Sequence, residues 1–578
     1  MAGSWNRRLV LGLGVAAIAA FGAVSGSHAQ AAGSIPQNVV PPPLSYPRAQ
    51  YFNSHPQAWA RFVSGLPRVA AEAPDGSGGP STSTASGPGG GVWQLVTKGP
   101  TNGLCNPLLL TDATVMVHQC NTPNWYRLVP DAKGDYADGA WYYMASLPVI
   151  GKTQYAPQYH ASAVLPDGRA IIMGGEYNGG NTGVWTKLGA IYDPLSNQWT
   201  PVTAPTGAAW KMVGDAQSVV LANGVFMLAS CCAFPAADAL LNPTSLTWTR
   251  TGAPNAGGKY QDEQGYELLP TGNVLTIDIW TAYPNGNATN AEQFSPWAGT
   301  WSSAGVTPTS LPDPEQCGNF EIGPAVLRGD GTVVAFGGNT GCVAGATADP
   351  TAIYDTKAAA WAAGPDVPAV CGASSTTSCD LADAPAALLP DGSILFAASA
   401  GYGQMPTHFF EMRPKNKIVQ VADTVRGAST SGAYYYNFLV LPNGQVFSTD
   451  FSSRAEVYTP AGSPIAAWAP VVLQAPSRVV AGRSYTINGQ QLNGRSQGAY
   501  YGDDAQAATN YPIVKLVNTA TGDVFYARSY NFSQMSVAPN ARDESMQFTV
   551  PSTVLTGPAS LYVIANGIAS KPLTVTIH

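Results

Sequence analysis

Six hairpin turns constrain this chain more than any other feature. The stretches "LPDG" (165–168), "LANG" (221–224), "LPTG" (269–272), "RGDG" (328–331), "LPDG" (389–392) and "LPNG" (441–444) each end in glycine, and these glycines stand 48 to 61 residues apart. A weaker version, "LTDAT" (110–114), precedes them. Each turn joins two apolar runs, the second of the type "AIIMGG", "GVFML", "VVAFGG" or "SILFAA". A third run follows, as in "GAIYDP" (189–194), "TAIYDT" (351–356) and "AEVYTP" (455–460), and a tryptophan strand ends most units, at Trp141, Trp199, Trp248, Trp301 and Trp361. Four short strands recurring in fixed order predict a β-propeller, and seven units predict seven blades. Unrelated hairpins would not repeat the same elements in sequence. The composition agrees: 11% charged residues with 62 Gly and 47 Pro favour strands and tight turns over amphipathic helices.

The seventh unit lacks a tryptophan strand after Tyr458. The segment "GVWQLV" (91–96) belongs to no unit, so it is expected to supply that outer strand and remove an open sheet edge. The propeller then spans 91–465. In 466–578 the repeat stops and short alternating strands predict an immunoglobulin-like sandwich. Within it "YYGDDAQAATNYPIVKL" reads as a long loop near the blade interface. Residues 32–90 read as a low-complexity segment, ending in the linker "EAPDGSGGPSTSTASGPGGG" (72–91).

Residues 1–31 read as a signal peptide: Arg7 and Arg8 precede the apolar run Leu9 to Val24, with small-residue cleavage sites after Ala29 and Ala31. The expectation is a secreted or periplasmic protein. No later apolar stretch reaches the roughly 18 residues a membrane helix needs. The net charge of −7, with no basic run, argues against a nucleic-acid surface. A monomer is expected. Export permits disulfides, and one pairing that uses all eight cysteines is Cys105–Cys120, Cys231–Cys232, Cys317–Cys342 and Cys371–Cys379. No C-x-x-C pair suggests a structural zinc site.

The double glycine after the second strand, with Tyr-Asp-Pro and then Trp, resembles kelch repeats. A seven-bladed kelch propeller followed by an immunoglobulin-like domain is similar to the copper radical oxidases of the galactose oxidase and glyoxal oxidase type. The resemblance covers about residues 91 to 578. It implies a site with a Cys and a Tyr joined by a thioether, an axial Tyr, and two copper-binding His. Counting back from the hairpin glycines places Cys105 at the thioether Cys, Tyr159 at the cross-linked Tyr, Tyr177 near the stacking aromatic and Tyr434 at the axial Tyr. The copper His is then replaced by Tyr435, and the matching sandwich stretch, taken as "RSYNFSQMS" (528–536), has no His. Copper(II) in such a site needs imidazole nitrogen, so copper is not expected. Cys105 is left with two alternatives, a thioether to Tyr159 or a disulfide to Cys120. His160 points away from Tyr159, because strand neighbours alternate, and reads as packing between blades.

The same count puts Asp215, Glu263 and Asp383 at equivalent strand starts, with Glu321 one residue out of register and Asp262 beside Glu263. In a propeller these starts gather at one mouth of the channel. Three roles are open: a Ca²⁺ site at Asp215, Glu263 and Asp383, a grip on a cationic or polyhydroxylated ligand, or an acid–base pair acting on a glycan. Plain support of neighbouring backbone amides is the fourth. The leading reading is a non-copper binding propeller that takes a glycan or cell-envelope ligand at an acidic mouth. Tyr159, Tyr177, Tyr434 and Tyr435 would stack on that ligand, and Asp215, Glu263, Glu321 and Asp383 would hold its polar groups. The alternatives are a divergent copper radical oxidase and a carboxylate-dependent glycan-cleaving enzyme on the same fold.

Overall fold

The structure is a computed structural model. It describes residues 39–66 and 84–578 except 98, 101–102, 253, 255–259, 283–288, 313–320, 339–348, 369–370, 372–378, 402, 503–505 and 540. The hairpin turns act as their glycines predict. At the second blade, Gly168 donates its N–H to the Leu165 carbonyl and Leu165 donates to Arg169, both at 2.8 Å. Gly168, Gly224, Gly272, Gly331, Gly392 and Gly444 all have φ between +82° and +91°. A side chain at that φ is strained, so glycine fixes the turn and with it the strand register.

Each hairpin seeds a four-stranded antiparallel blade. Blade 1 comprises Leu104–Leu109, Val115–Gln119, Trp125–Val129 and Ala140–Tyr143, and blade 2 Ala161–Val164, Ala170–Met173, Gly189–Asp193 and Gln198–Pro201. Blade 3 is built from Ser218–Val220, Phe226–Ala229, Asp238–Asn242 and Thr247–Arg250. Blade 4 has Glu267–Leu268, Val274–Ile277, Asn290–Ser295 and Thr300–Val306. Blade 5 has Ala325–Leu327, Thr332–Phe336, Thr351–Asp355 and Ala360–Ala363. Blade 6 has Pro385–Leu388, Ile394–Ser399, Thr407–Arg413 and Lys417–Gln420, and blade 7 begins with Asn437–Val440, Val446–Thr449 and Ala455–Thr459.

The recurring Tyr and Trp are cross-strand partners. Tyr192 stands opposite Trp199 and Tyr354 opposite Trp361, with ring centroids 5.1 and 5.0 Å apart. Such aromatic pairs stabilise a sheet beyond their buried area. The indole N–H then crosses to the preceding blade: Trp199 donates to Ala145, Trp248 to Thr203 and Trp361 to Ala304, at 2.7 to 3.0 Å. The same pair closes the ring. Val92–Leu95 lies antiparallel to Ala455–Thr459, with Trp93 opposite Tyr458 and its N–H 2.8 Å from the Ala422 carbonyl. The chain's early residues therefore complete blade 7, and Thr84–Ser86 adds a fifth strand outside them.

Beyond the propeller the strands form a β-sandwich. Val524–Tyr530 belongs to both of its sheets: 524–527 pair with Ile513–Asn518, and 528–530 pair with Asp543–Thr549. The stretch expected to be a loop at the blade interface is instead a hairpin that enters the propeller. Gly498–Tyr501 pairs with Pro385–Leu388, setting Tyr501 opposite Pro385 and Tyr500 opposite Ala386, and Ala507–Ala508 pairs back on it. The hairpin also lies against the innermost strands of blades 1, 2, 5 and 7, so it fills the channel axis. Small residues, Gly498, Ala499, Ala507 and Ala508, let it fit there.

Disulfides join Cys105 to Cys120, Cys231 to Cys232 and Cys371 to Cys379. Cys317 and Cys342 lie outside the described residues. The region read as low complexity carries two helices, α1 (Tyr46–Ser54) and α2 (Pro56–Gly65), each with proline in its first turn, where the missing N–H costs nothing. Phe52, Trp59 and Val63 of these helices are buried. Among the described residues no helix is long and apolar enough to cross a membrane.

Candidate functional site

The innermost strands of alternate blades begin in the same unusual way. Tyr159 (blade 2), Glu263 (blade 4) and Asp383 (blade 6) have φ of +51°, +56° and +54°, and Asp215 of blade 3 follows Gly214 at +68°. A left-handed conformation costs a side-chain-bearing residue on the order of 1 kcal/mol and persists only where the surroundings impose it.

Two overlapping acidic trios result. Oxygens of Glu263, Glu321 and Asp383 lie within 4.8 Å of one another, as do those of Asp215, Asp262 and Glu263. All five side chains are buried. The set Asp215, Glu263 and Asp383 expected to hold Ca²⁺ is thus split between two clusters that share Glu263. The channel hairpin reaches this floor: a Cβ on Gly502 would come within 3.0 Å of Asp383 Oδ1, so only glycine allows that approach.

Aromatic rings wall the space beside the acids. Tyr159 stacks on Tyr501 (6.3 Å, 13° between planes) and meets Tyr177 edge-on at 6.2 Å. Tyr434 and Tyr435, in a 3-10 turn (Ala433–Tyr435), are perpendicular at 4.7 Å, and Phe451 bridges Tyr435 to Tyr159. The Tyr501 hydroxyl donates to the Tyr434 carbonyl at 2.9 Å. Burial pushes the hydroxyls of Tyr159, Tyr177 and Tyr434 well above the ordinary phenol range, and that of Tyr435 up to about 12. At neutral pH these groups are O–H donors, not phenolates. Tyr159, Tyr177, Tyr434 and Tyr435 are therefore together at the mouth, with Tyr435 packed on Tyr434 and Phe451 and its hydroxyl in hydrogen-bond contact with the Val40 backbone.

The residues present do not fit the copper site that the resemblance implies. Cys105 is bound to Cys120, and its Sγ lies 3.9 Å from His118 Nδ1, so it has no bond to give Tyr159. The stretch 528–536 is not what enters the channel. The hairpin that does enter brings Tyr501, and neither acidic trio includes an imidazole. His160 packs away from the mouth, edge-on to His118 at 5.4 Å, with His118 stacked on Trp125. Burial lowers the pKa of both, that of His160 to about 4.

Sequence reasoning missed the residues that cap this space. The extended run Val39 to Ser45, "VVPPPLS", is buried against the mouth. Tyr434 donates to the Val40 carbonyl (3.4 Å), Tyr159 to Pro41 (2.9 Å) and Tyr177 to Pro42 (2.8 Å). Gln158 Nε2 adds a second donor to Pro41 at 3.3 Å. Glu176 Oε2 accepts from the Leu44 N–H (3.3 Å) and Asp262 Oδ2 from the Tyr46 N–H (2.6 Å). The Tyr46 ring sits edge-on to Trp185 at 5.5 Å and to Tyr260 at 6.1 Å. The signal available in sequence was the Pro-Pro-Pro run followed by an aromatic, inside a stretch otherwise poor in pattern.

No protein-family model matches the chain, and no curated protein does. Among solved structures, the fold is similar to a fungal alcohol oxidase of the AA5 family in complex with copper. That similarity has 12% identity and a TM-score of 0.43, covering 86% of this chain and 100% of that one. YCF48 bound to D1 peptide is also similar, at 12% identity and a TM-score of 0.39, covering 64% of this chain and 96% of that one.

Proposed function

We propose that this chain is an exported binding protein that takes a polyhydroxylated ligand, a glycan or other cell-envelope material, at the channel mouth, and that it is not a copper oxidase. The observation that carries the reading is the site's donor set: neutral tyrosine hydroxyls and flat rings set around buried carboxylates, without imidazole. Aromatic faces pack on sugar rings, and carboxylates accept from ligand hydroxyls, which is the usual division of labour in polar pockets. Export is supported by the leader-like residues 1–31 and by three disulfides, which persist in oxidising compartments.

The test pairs two measurements on the purified protein. After loading with Cu²⁺, galactose and glyoxal-type substrates should give no copper-dependent hydrogen peroxide. In a polysaccharide-binding screen, a positive ligand should bind about tenfold more weakly to Glu263→Gln, because an acceptor oxygen is replaced by an amide N–H₂. Copper-dependent peroxide that requires Tyr159 sinks the reading, and so does a screen in which polysaccharide is retained neither by the intact protein nor by protein cut between residues 74 and 82, where the segment 39–46 that covers the mouth can be displaced.

A further inference from the structure

The run Val39 to Tyr46 meets the mouth as a ligand meets a receptor. Proline has no N–H, so "PPP" at 41–43 presents only carbonyls, and a polyproline-type backbone makes no hydrogen bonds within itself. The mouth answers that pattern group by group. Three tyrosine hydroxyls donate to three consecutive carbonyls, Val40, Pro41 and Pro42. Where backbone N–H groups return, at Leu44 and Tyr46, the partners change from donors to the carboxylates of Glu176 and Asp262. These partners come from three blades and from positions 132 to 394 residues away in the chain, apart from the Gln158–Pro41 and Tyr159–Pro41 contacts at 117 and 118. An aromatic slot of Trp185 and Tyr260 takes the Tyr46 ring. Aromatic-lined grooves with O–H donors are the chemistry by which extended, proline-rich peptides are recognised.

We infer that the mouth is a receptor for extended, proline-rich peptide, and that Val39–Tyr46 is its tethered occupant. The seat reads backbone: carbonyl, carbonyl, carbonyl, then N–H, with one aromatic side chain at the end. Because the occupant belongs to the same chain as its seat, its binding is intramolecular, and a peptide in trans competes effectively only after that chain is cut. The inference rests on the reading of the mouth as a binding site, and adds that a ligand for the acidic floor enters only when this segment leaves.

The experiment uses the full chain with a protease site placed within 74–82. After cleavage, a fluorescein-labelled peptide of residues 38–66 is added, and its uptake and the retention of the cleaved segment are followed by gel filtration. The cleaved protein should retain its segment and exchange it for labelled peptide, while uncleaved protein takes up at least 100-fold less. Tyr177→Phe should weaken binding about tenfold, since it removes the hydroxyl that donates to the Pro42 carbonyl, and Tyr159→Phe should weaken it by less, since Gln158 still donates to Pro41. A peptide with Pro41, Pro42 and Pro43 replaced by glycine should fail to compete. Where exchange is too slow to follow, loss of the retained segment in the double Phe variant reads the same contacts. Immediate loss of the segment from the cleaved wild type, or uptake unaffected by both Phe variants, overturns the inference. Polysaccharide binding by the cleaved protein is scored separately. Polysaccharide without peptide binding defeats the inference alone, and peptide without polysaccharide binding defeats the proposed function alone.

Discussion

Tyr159 and His160 are adjacent in the turn between Pro157–Gln158 and Ala161–Val164, where the left-handed backbone of Tyr159 (φ +51°), not strand alternation, accompanies one side chain at the mouth and the other in the wall. The Tyr159 hydroxyl serves the Pro41 carbonyl, whereas His160 is sealed beside His118 and Trp125. A histidine buried as the neutral base has a measurable consequence. Its folded pKa is about 4, lowered by burial from 6.5. Above pH 6.5 neither the folded nor the unfolded state binds this proton. As pH falls below 6.5 the unfolded chain takes it up and the folded chain does not, so stability is lost down to about pH 4. A shift of this size corresponds to about 3 kcal/mol over that window. His160→Gln should therefore be less stable than wild type at pH 7.5, with the gap narrowing by pH 4.5. Urea unfolding at the two pH values checks this, and a gap that is constant with pH contradicts it. Counting back from the hairpin glycines was enough to find Tyr159, Glu263 and Asp383, because strand geometry fixes how far each turn lies from its strand start. The Val40–Tyr46 contacts had no such ruler. An extended proline run has no periodicity, and its partners are far away in sequence.

At the level of single strands, the Tyr–Trp cross-pair explains why the tryptophans were readable as outer strands. It also explains why Trp93 was recognisable as the missing partner of Tyr458. Trp93 is fully buried among Tyr458, Phe409 and Phe438 and donates to Ala422. Trp93→Ala should cost about 3–5 kcal/mol, the range for removing a large buried aromatic. Trp248→Ala should cost less, because Trp248 is only partly buried. Comparing the two by equilibrium unfolding tests whether the closing strand is worth more than an ordinary outer strand. The channel hairpin was less legible. Its short run of small residues carries no strong β signal, and the partner that orders it, Pro385–Leu388, lies in another domain.

For the molecule as a whole, five buried carboxylates in two overlapping clusters are a marked electrostatic demand in a chain with few charges. Carboxylates this close repel, and either a bound cation or protonation relieves the repulsion. The cation reading makes a thermodynamic statement: an ion bound only by the closed ring stabilises it by about 2.7 kcal/mol at 100 times its dissociation constant. Calorimetry should show EDTA lowering the melting temperature, Ca²⁺ restoring it, and Glu263→Gln with Asp383→Asn erasing the difference. Identical melting of the wild type in EDTA and in Ca²⁺ removes the ion and leaves the clusters to a ligand or to backbone support.

Ring closure by Val92–Leu95 also fixes an order in time. The strand that completes blade 7 is synthesised before blade 1, and its partner, Ala455–Thr459, some 367 residues after it. A contact so distant forms late, since the intervening chain must be ordered before its loop entropy is repaid. Until then the emerging polypeptide is a growing row of blades with one edge unpaired at each end. The latch at its beginning ensures that the ring is sealed only when the last blade has arrived.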